Sequence, residues 1–429
     1  MSVPTVSLHG VFTAGLSSVL VAACTAATAP SAKPAAPAQP GADAARAVPA
    51  ASAAPAVERS AEPAGAESTA VVIGQRKVIR SARLGEERAY LVYTPRSYEH
   101  GKAGYPVMYL LDGDAHFHHT TGLVSYLANL QRMPEMIVVA IGNTDRTRDL
   151  TPTRQERFPT SGGADNFLAF IKDELIPAVD RDYRTVPHRV LVGHSFGGLF
   201  TVHALTRSPD TFQGYVSISP SLWWQDQLMR RNAEALIARR PDLDAFLHIT
   251  LGNEREHMRA SNQAFAEMLE NRAPAGLRWK FTVLGNEDHG SVPHRSIYLA
   301  LEALYAEWTP GEEVDSLAAL EAHFAGLSKQ FGYSIVVPER VLNVFGYRLL
   351  GADRSDDAIA AFKRNIELYP ESANVYDSLG EAYEKSGQIE LAKSHYAIAV
   401  DKASKSSHPY LSVYKLNLDR ARKLVAAGK

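Results

Sequence analysis

The sequence contains a single cysteine, Cys24, and has no excess of charge of either sign. One cysteine excludes a disulfide within the chain, so the fold has to be held together by a hydrophobic core. Lysine and arginine number 45 against 47 aspartate and glutamate residues, and the net charge of −2 offers nucleic acid no attracting field. Beyond residue 68 no run of about 18 residues is apolar enough to predict a membrane span. We therefore expect a soluble folded part.

The N-terminal residues 1–24 contain no lysine or arginine, yet they resemble an export signal. The apolar stretch from Val11 to Ala23 is too short to cross a bilayer but has the length of a signal-peptide core. The motif Val21-Ala22-Ala23-Cys24 resembles a bacterial lipobox, which predicts cleavage before a lipidated Cys24 and a periplasmic or outer-membrane-anchored lipoprotein. An ordinary cleaved signal and a buried structural cysteine are the alternatives.

Residues 25–68 consist mainly of alanine and proline and contain almost no large apolar side chains. Such a stretch cannot form a core and behaves as an extended spacer. Between a lipidated cysteine and a folded domain it would be a disordered tether. The rest of the 429-residue chain, of which 45% is hydrophobic, can bury the core of one large domain and a smaller one.

Residues 69–309 alternate between short apolar runs and amphipathic segments. Candidate strands are Arg88–Tyr93, Val107–Leu111, Ile137–Ile141, Arg189–Val192, Gly214–Ile218, Leu247–Leu251 and Lys280–Leu284. The run Ile137–Ile141 is apolar throughout, which is typical of a central strand covered on both faces. Helical patterns such as Asn166–Val179 and Leu199–Thr206 fall between the runs. This alternation predicts a mainly parallel, doubly wound α/β sheet.

Helical patterns replace the strand signals in residues 310–429. The segments 345–368 and 376–400 read as two helical hairpins that correspond at an offset of 34 residues, which pairs Gly346 with Gly380 and Phe362 with Tyr396. That offset is the period of tetratricopeptide repeats, and we predict about two of them. They either form a contact with a protein partner or a second copy, or pack on the main domain as a plain helical appendage.

The segment Gly193–Gly198 contains the Gly-x-Ser-x-Gly pattern of a nucleophile elbow. It directly follows the apolar strand candidate and precedes a helical pattern. A sharp turn between them exposes a serine at the end of the sheet, and small residues two positions before and after it avoid collisions with neighbouring backbone. The pattern predicts Ser195 as the nucleophile of an α/β-hydrolase fold.

A serine hydroxyl needs a base, which follows later in the chain in this fold, and an acid that orients the base. His289 is the predicted base because it lies just after the last strand candidate, in a loop that would carry it over the sheet edge. The loop after the preceding strand contains Glu254 and Glu256. We prefer Glu254 because it is nearer the strand end, and Glu256 is the alternative.

Ester cleavage also needs backbone amides that hold the oxyanion. The amide of Phe196, directly after the nucleophile, provides one in this architecture. The loop after the strand candidate 107–111 offers the second, from Gly113 or Asp114. Crowded histidines follow in the same segment, but no cysteine accompanies them, and we expect neither a metal nor a cofactor.

Together these motifs resemble the bacterial esterase family that includes enterochelin esterases. The resemblance covers about residues 71–308 and rests on Leu110–Asp114, Asn143–Pro152, Gly193–Gly198, Ser219–Trp224, Gly252–Glu254 and Asp288–Gly290. It implies an α/β-hydrolase fold and cofactor-free hydrolysis of carboxylic esters, in some members of siderophore trilactones. Members with C-terminal tetratricopeptide-like helices are similar as well. Because members vary in the acid, the resemblance does not decide that residue.

Three further side chains are candidates for substrate contact. Arg148 could bind a substrate carboxylate or phenolate, or pair with Asp149 as part of the framework. Trp223 and Trp224 are adjacent and should point in different directions, so one is expected at the mouth of the site and the other in the core. Packing of both in the core is the alternative.

The sequence as a whole predicts a serine hydrolase that cleaves a small-molecule carboxylic ester through an acyl-enzyme intermediate. An acyltransferase or a peptidase would use the same site and differ only in the acceptor or the leaving group. A catalytically silent, membrane-tethered binding scaffold is the alternative from another class. The serine, the histidine and the elbow glycines are all present, which favours catalysis.

Overall fold

The computed structural model describes residues 69–99, 101–406 and 408–428. In these ranges a mixed sheet with flanking helices is followed by a helical C-terminal part. The strands are β1 (Gln75–Ser81), β2 (Glu86–Tyr93), β3 (Tyr105–Leu110), β4 (Ile137–Ile141), β5 (Thr185–His194), β6 (Gly214–Ile218), β7 (Ala245–Leu251) and β8 (Leu277–Val283). The helices are α1 (Gly113–Asn129), α2 (Arg146–Leu150), α3 (Ala164–Phe170), α4 (Ile176–Asp182), α5 (Phe196–Arg207), α6 (Trp224–Arg239), α7 (Glu256–Arg272), α8 (Val292–Leu304), α9 (Leu317–Phe331), α10 (Glu339–Gly351), α11 (Ser355–Leu368), α12 (Ala373–Lys385), α13 (Ile389–Lys405) and α14 (Leu411–Ala426).

The strands form one sheet in the order β1-β2-β4-β3-β5-β6-β7-β8. The six strands from β3 to β8 are parallel to one another, whereas β1 and β2 join the sheet antiparallel. The predicted mainly parallel α/β sheet is therefore confirmed. The edge strand β1 was not predicted, because its exposed basic residues obscure the strand pattern. A π-helical turn, Ile171–Leu175, joins α3 to α4 inside one predicted helix.

Alternate residues of the central strands enter two cores, one on each face of the sheet. In β4, Val138 and Ala140 pack into one core, while Ile137, Val139 and Ile141 pack into the other. All five are completely buried, as their continuous apolar run predicts. Helices from both sides cover the sheet, and its carboxyl edge is the place where the predicted site segments emerge.

The first of these cores continues from the sheet into the C-terminal helices. Trp308 packs against Phe324 and Phe331 of α9, with ring centroids 5.8 and 6.4 Å away. Ala70–Lys429 forms one compact unit, so these helices are packed on the sheet domain. None of the helices in the described residues is long and apolar enough to cross a membrane.

In both helical hairpins, a glycine of the first helix packs against an aromatic ring of the second. A Cβ on Gly346 would lie 2.6 Å from the ring of Phe362, and a Cβ on Gly380 would lie 2.7 Å from the ring of Tyr396. Each glycine thus lets an aromatic ring of the next helix approach the backbone closely. The residues paired by the 34-residue offset occupy equivalent positions in α10–α11 and α12–α13.

Candidate active site

The turn between β5 and α5 holds Ser195 in a strained conformation, with φ 60° and ψ −112°. A Cβ on Gly193 would lie 2.3 Å from the carbonyl oxygen of Gly197, so no larger residue fits there. At the other side, a Cβ on Gly198 would lie 2.9 Å from the ring of Pro220. The lack of space for a side chain therefore explains Gly193 and Gly198, and the turn presents Ser195 at the end of the sheet.

His289 reaches the serine from the loop between β8 and α8. Its Nε2 atom lies 3.0 Å from Ser195 Oγ. The preceding residue, Asp288, shapes this loop by accepting hydrogen bonds from the amides of Gly290 and Ser291, both at 2.9 Å. Those amides hold the pKa of Asp288 below its ordinary value. The loop that carries the imidazole is thus closed on itself by an ionised side chain.

Glu254 contacts the other nitrogen of the same imidazole. The distance from His289 Nδ1 to Glu254 Oε1 is 2.8 Å, and the Glu254 side chain is only 5% exposed. A carboxylate can only accept, so Nδ1 donates to Glu254 and Nε2 is left to accept from the Ser195 hydroxyl. Glu256, the alternative, is exposed and pairs with Arg259. The structure thus brings together serine, histidine and the preferred acid.

The loops that carry Glu254 and His289 meet because β7 and β8 are parallel neighbours. Asn253 donates its amide to the carbonyl of Glu287 over 2.6 Å. A Cβ on Gly252 would lie 3.0 Å from the same carbonyl oxygen. Ser219 adds a link from the end of β6, since its Oγ accepts from the Gly252 amide at 3.0 Å. The acid loop is therefore fixed from both sides.

The predicted oxyanion donors lie at the N-terminal ends of two helices. Phe196 begins α5 and Gly113 begins α1, so neither amide has an acceptor within its own helix. The two helices start side by side because β3 and β5 are parallel neighbours. Gly113 is buried, and a Cβ there would lie 2.7 Å from the carbonyl carbon of Ala140, whereas Asp114 is exposed.

Arg146, at the start of α2, joins these two helix ends and was not singled out from the sequence. It donates to both carboxylate oxygens of Asp112, at 2.6 and 2.9 Å, and to the carbonyl of His194 at 3.1 Å. Asn143 donates to the same carboxylate at 2.7 Å. Burial raises the pKa of Asp112, but the hydrogen bonds from Arg146 and Asn143 outweigh it and leave the pKa lowered.

Arg148, a predicted candidate for substrate contact, has its side chain in a cluster of ion pairs. It donates to Glu86 at 2.6 Å and to Asp149 at 2.7 Å. Asp149 is itself buried and receives a second hydrogen bond from Arg88 at 2.6 Å. Arg148 therefore belongs to a framework cluster between β2 and α2, the alternative that the sequence left open.

The two tryptophans have different environments. Trp224 is completely buried and donates from Nε1 to Thr153 Oγ1 at 2.9 Å, so it cannot contact a substrate as placed. Trp223 is half-buried, and its ring centroid lies 6.5 Å from those of Phe158 and Phe196. We call Phe158, Phe196 and Trp223 the aromatic wall. Phe158 was not recognised because it lies in a loop without any pattern.

A row of imidazoles extends from His289 along α1. The ring of His194 lies 4.6 Å from that of His289, and His116 Nδ1 lies 3.0 Å from His119 Nε2. Nδ1 of His119 faces His294 at 3.4 Å. Burial is the main cause that lowers the pKa of His194 to about 3 and that of His119 to about 4, so these side chains are neutral at neutral pH.

Within this row, His119 turns different nitrogens to its two neighbours, Nε2 to His116 and Nδ1 to His294. Within the described ranges no group of three or more histidine, cysteine, aspartate or glutamate side chains is placed to hold a metal ion. Cys24, the predicted lipidation site, lies outside the described residues, as do residues 25–68.

Comparison with known proteins places the chain in a family. Residues 81–289 match the family model described as "Putative esterase". The ferri-bacillibactin esterase BesA of Bacillus subtilis is 30% identical over 260 residues, which cover 53% of this chain and 89% of that protein. The chain belongs to this esterase family. A siderophore triacetylfusarinine C esterase of Aspergillus fumigatus is 32% identical over 172 residues, which cover 37% of this chain and 59% of that protein.

Among solved structures, an IroE-like serine hydrolase from Shewanella oneidensis superposes with a TM-score of 0.61 at 28% identity. The match covers 67% of this chain and 98% of that chain. The esterase is therefore an α/β-hydrolase that acts on carboxylic esters, as the resemblance implied. The family match ends at His289, so it includes Ser195, Glu254 and His289 but leaves out the C-terminal helices.

Proposed function

We propose that the esterase hydrolyses siderophore-type esters or lactones with a catalytic triad of Ser195, His289 and Glu254. The continuous chain of hydrogen bonds from Glu254 through His289 to Ser195 carries this proposal, with its contacts of 2.8 and 3.0 Å. The strained elbow that exposes the serine and the buried carboxylate beneath the base support it. A nucleophile, a base and an orienting acid in this order are the parts that acyl transfer requires.

In the proposed reaction, His289 takes the proton of Ser195 as the oxygen attacks the ester carbonyl. The amides of Phe196 and of Gly113 or Asp114 donate to the oxyanion that forms. Glu254 keeps the imidazole oriented and stabilises its charged form. His289 then protonates the leaving alcohol, and a water molecule activated by the same base releases the acid and restores the serine.

The substrate class rests on the relatives and on the openness of the site. Two relatives of the esterase are named for the siderophores on which they act, ferri-bacillibactin and triacetylfusarinine C. The His289 side chain is 42% exposed, so a large substrate can approach the base. A bulky, multiply esterified molecule fits such a site better than it would fit an enclosed pocket.

We further propose that the esterase is exported and anchored through lipidated Cys24, with residues 25–68 as the tether. Residues 69–309 would be the esterase domain and residues 310–429 a region with about two tetratricopeptide-like repeats. The matched glycine contacts of Gly346 and Gly380 support the repeat. A protein partner or a second copy is the proposed ligand of these helices. Metabolic labelling with a palmitate analogue, lost in Cys24→Ala, would test the anchor.

The catalytic proposal is tested by hydrolysis of p-nitrophenyl esters and of siderophore trilactones, with and without iron. Glu254→Gln should lower kcat by roughly 10²–10⁴-fold, as expected when the orienting acid loses its charge. Its matched control is Glu256→Gln, a change two residues away on an exposed side chain, which should leave kcat within about twofold of the wild type. Equal losses in both variants, or no loss in Glu254→Gln, would contradict the assignment of the acid. Turnover of simple esters without turnover of any trilactone would contradict the substrate class.

A further inference from the structure

Directly after Trp224, three consecutive residues adopt left-handed backbone conformations. Gln225, Asp226 and Gln227 have φ values of 44°, 52° and 59°. Residues other than glycine rarely adopt this region, because the Cβ atom crowds the following carbonyl oxygen. Three in a row persist only where surrounding contacts hold them, and such strain is common next to functional sites. We call residues 225–227 the left-handed turn.

One side chain from another segment holds this turn. Thr153 Oγ1 accepts from Trp224 Nε1 at 2.9 Å and donates to Gln225 Oε1 at 2.7 Å. Arg231 contributes from within α6, donating to the carbonyl of Gln225 at 3.0 Å and to that of Asp226. The Thr153 hydroxyl therefore acts both as donor, to the first residue of the turn, and as acceptor, from the residue before it.

Two rings of the aromatic wall lie close in the chain to the turn and to Thr153. Trp223 lies two residues before the turn, and Phe158 lies five residues after Thr153. Their ring centroids are 6.5 Å apart. The segment that contains Trp223 also contacts the nucleophile, because the amide of Ser221 donates to the carbonyl of Ser195 at 3.2 Å. A shift of the turn would therefore move Trp223, whose ring lies 6.5 Å from that of Phe196, the residue after the nucleophile.

We propose that Thr153, through the left-handed turn, fixes the position of Trp223 and thereby determines which bulky groups of an ester the site accepts. This inference rests on the proposed esterase function. Without the hydroxyl, the turn can relax toward the right-handed helix that follows it, which turns the Trp223 ring away from Phe158. Groups large enough to contact the aromatic wall then lose a binding surface, whereas an acetyl group bound next to the serine does not.

The experiment compares p-nitrophenyl acetate with p-nitrophenyl benzoate in Thr153→Val and Thr153→Ser. Valine keeps the shape of threonine but removes both hydrogen bonds, and serine keeps the hydroxyl. For Thr153→Val we expect kcat/KM to fall about tenfold for the benzoate, through KM, and to stay within about twofold for the acetate. Thr153→Ser should retain the preference of the wild type.

A second variant separates the geometry of the turn from its strain. Asp226→Gly keeps the left-handed conformation without the steric cost, so the substrate preference should be unchanged and the thermal midpoint should rise by about 1–2 °C. The inference is overturned if Thr153→Val affects both esters equally or neither, or if Asp226→Gly alters the preference. Ser195→Ala, assayed in parallel, reports on the proposed function itself: if it retains turnover, that function fails, and with it the inference. If Ser195→Ala loses turnover but Thr153→Val changes kcat/KM for both esters equally, the inference fails and the proposed function stands.

Discussion

Replacing Arg146 with glutamine should loosen the two helix ends that carry the proposed oxyanion donors. Arg146 connects Asp112, which precedes α1, with the carbonyl of His194, which precedes the nucleophile. Asp112 has a left-handed backbone, φ 53°, and its carboxylate lies in the interior of the site. Of the two described side chains that donate to that carboxylate, Arg146 and Asn143, the variant would keep Asn143.

The size of the effect follows from the burial of the pair. Removing one partner of a fully buried ion pair costs about 3–5 kcal/mol. The Arg146 side chain is 35% exposed, so water can replace part of it, and screening reduces the expected loss of stability to roughly 1–2 kcal/mol. Deleting an oxyanion donor lowers kcat by about 10²–10³-fold, and since the donor would be displaced and not deleted, we expect a decrease of about 10–100-fold.

The assay is kcat and KM for p-nitrophenyl acetate together with urea unfolding. Arg148→Gln is the matched control, because Arg148 makes a similar pair two residues away but contacts Glu86 and Asp149 outside the site. It should cost stability while kcat stays within about twofold. If Arg146→Gln keeps wild-type kcat, or if Arg148→Gln lowers kcat as much, the link between Arg146 and the oxyanion site is refuted.

Three further predictions concern stability. Burial raises the pKa of Asp377 to about 6. The protonated Asp377 therefore contributes fully to stability below pH 3.8, and this contribution is lost as pH rises through 6. At pH 8, Asp377→Asn should raise the free energy of unfolding in urea by roughly 1–3 kcal/mol. Burial lowers the pKa of His188 to about 4. The neutral His188 therefore contributes to stability above pH 6.5, and this contribution is lost as pH falls through 4. In His188→Phe, the thermal midpoint should fall less between pH 6.5 and pH 4 than in the wild type. Gly380→Ala would place a Cβ 2.7 Å from the ring of Tyr396 and should cost about 1–3 kcal/mol, while Gly326→Ala, where the space is open, should not destabilise. Unchanged pH profiles in the first two variants, or equal unfolding midpoints in the last two, would contradict these reasons.

The central strands and the elbow could be predicted because their physical requirements leave few alternatives. β4 and β6 match the predicted runs residue for residue, since a strand buried on both faces is apolar throughout. At Gly193, two residues before Ser195, the close carbonyl of Gly197 leaves no room for a side chain. The edge strand β1 was not predicted, because an exposed antiparallel strand shows no apolar run.

Which of two neighbouring side chains faces the site could not be predicted from the sequence. Arg146 and Arg148 are two positions apart on a short helix, so they point to different sides, and only the packing of α2 decides which one faces the site. The same holds for Trp223 and Trp224, of which Trp224 is buried and Trp223 is half-buried against Phe196. Short-range patterns report periodicity, whereas these choices depend on how the elements pack against one another.

Active-site labelling determines whether Ser195 is the nucleophile that becomes acylated. The protein is treated with a fluorophosphonate, and the modified peptide is identified by mass spectrometry. We expect a single adduct on Ser195, absent in Ser195→Ala and formed more slowly in Glu254→Gln than in Glu256→Gln. A modified residue elsewhere, or a folded protein that does not react at Ser195, would contradict it.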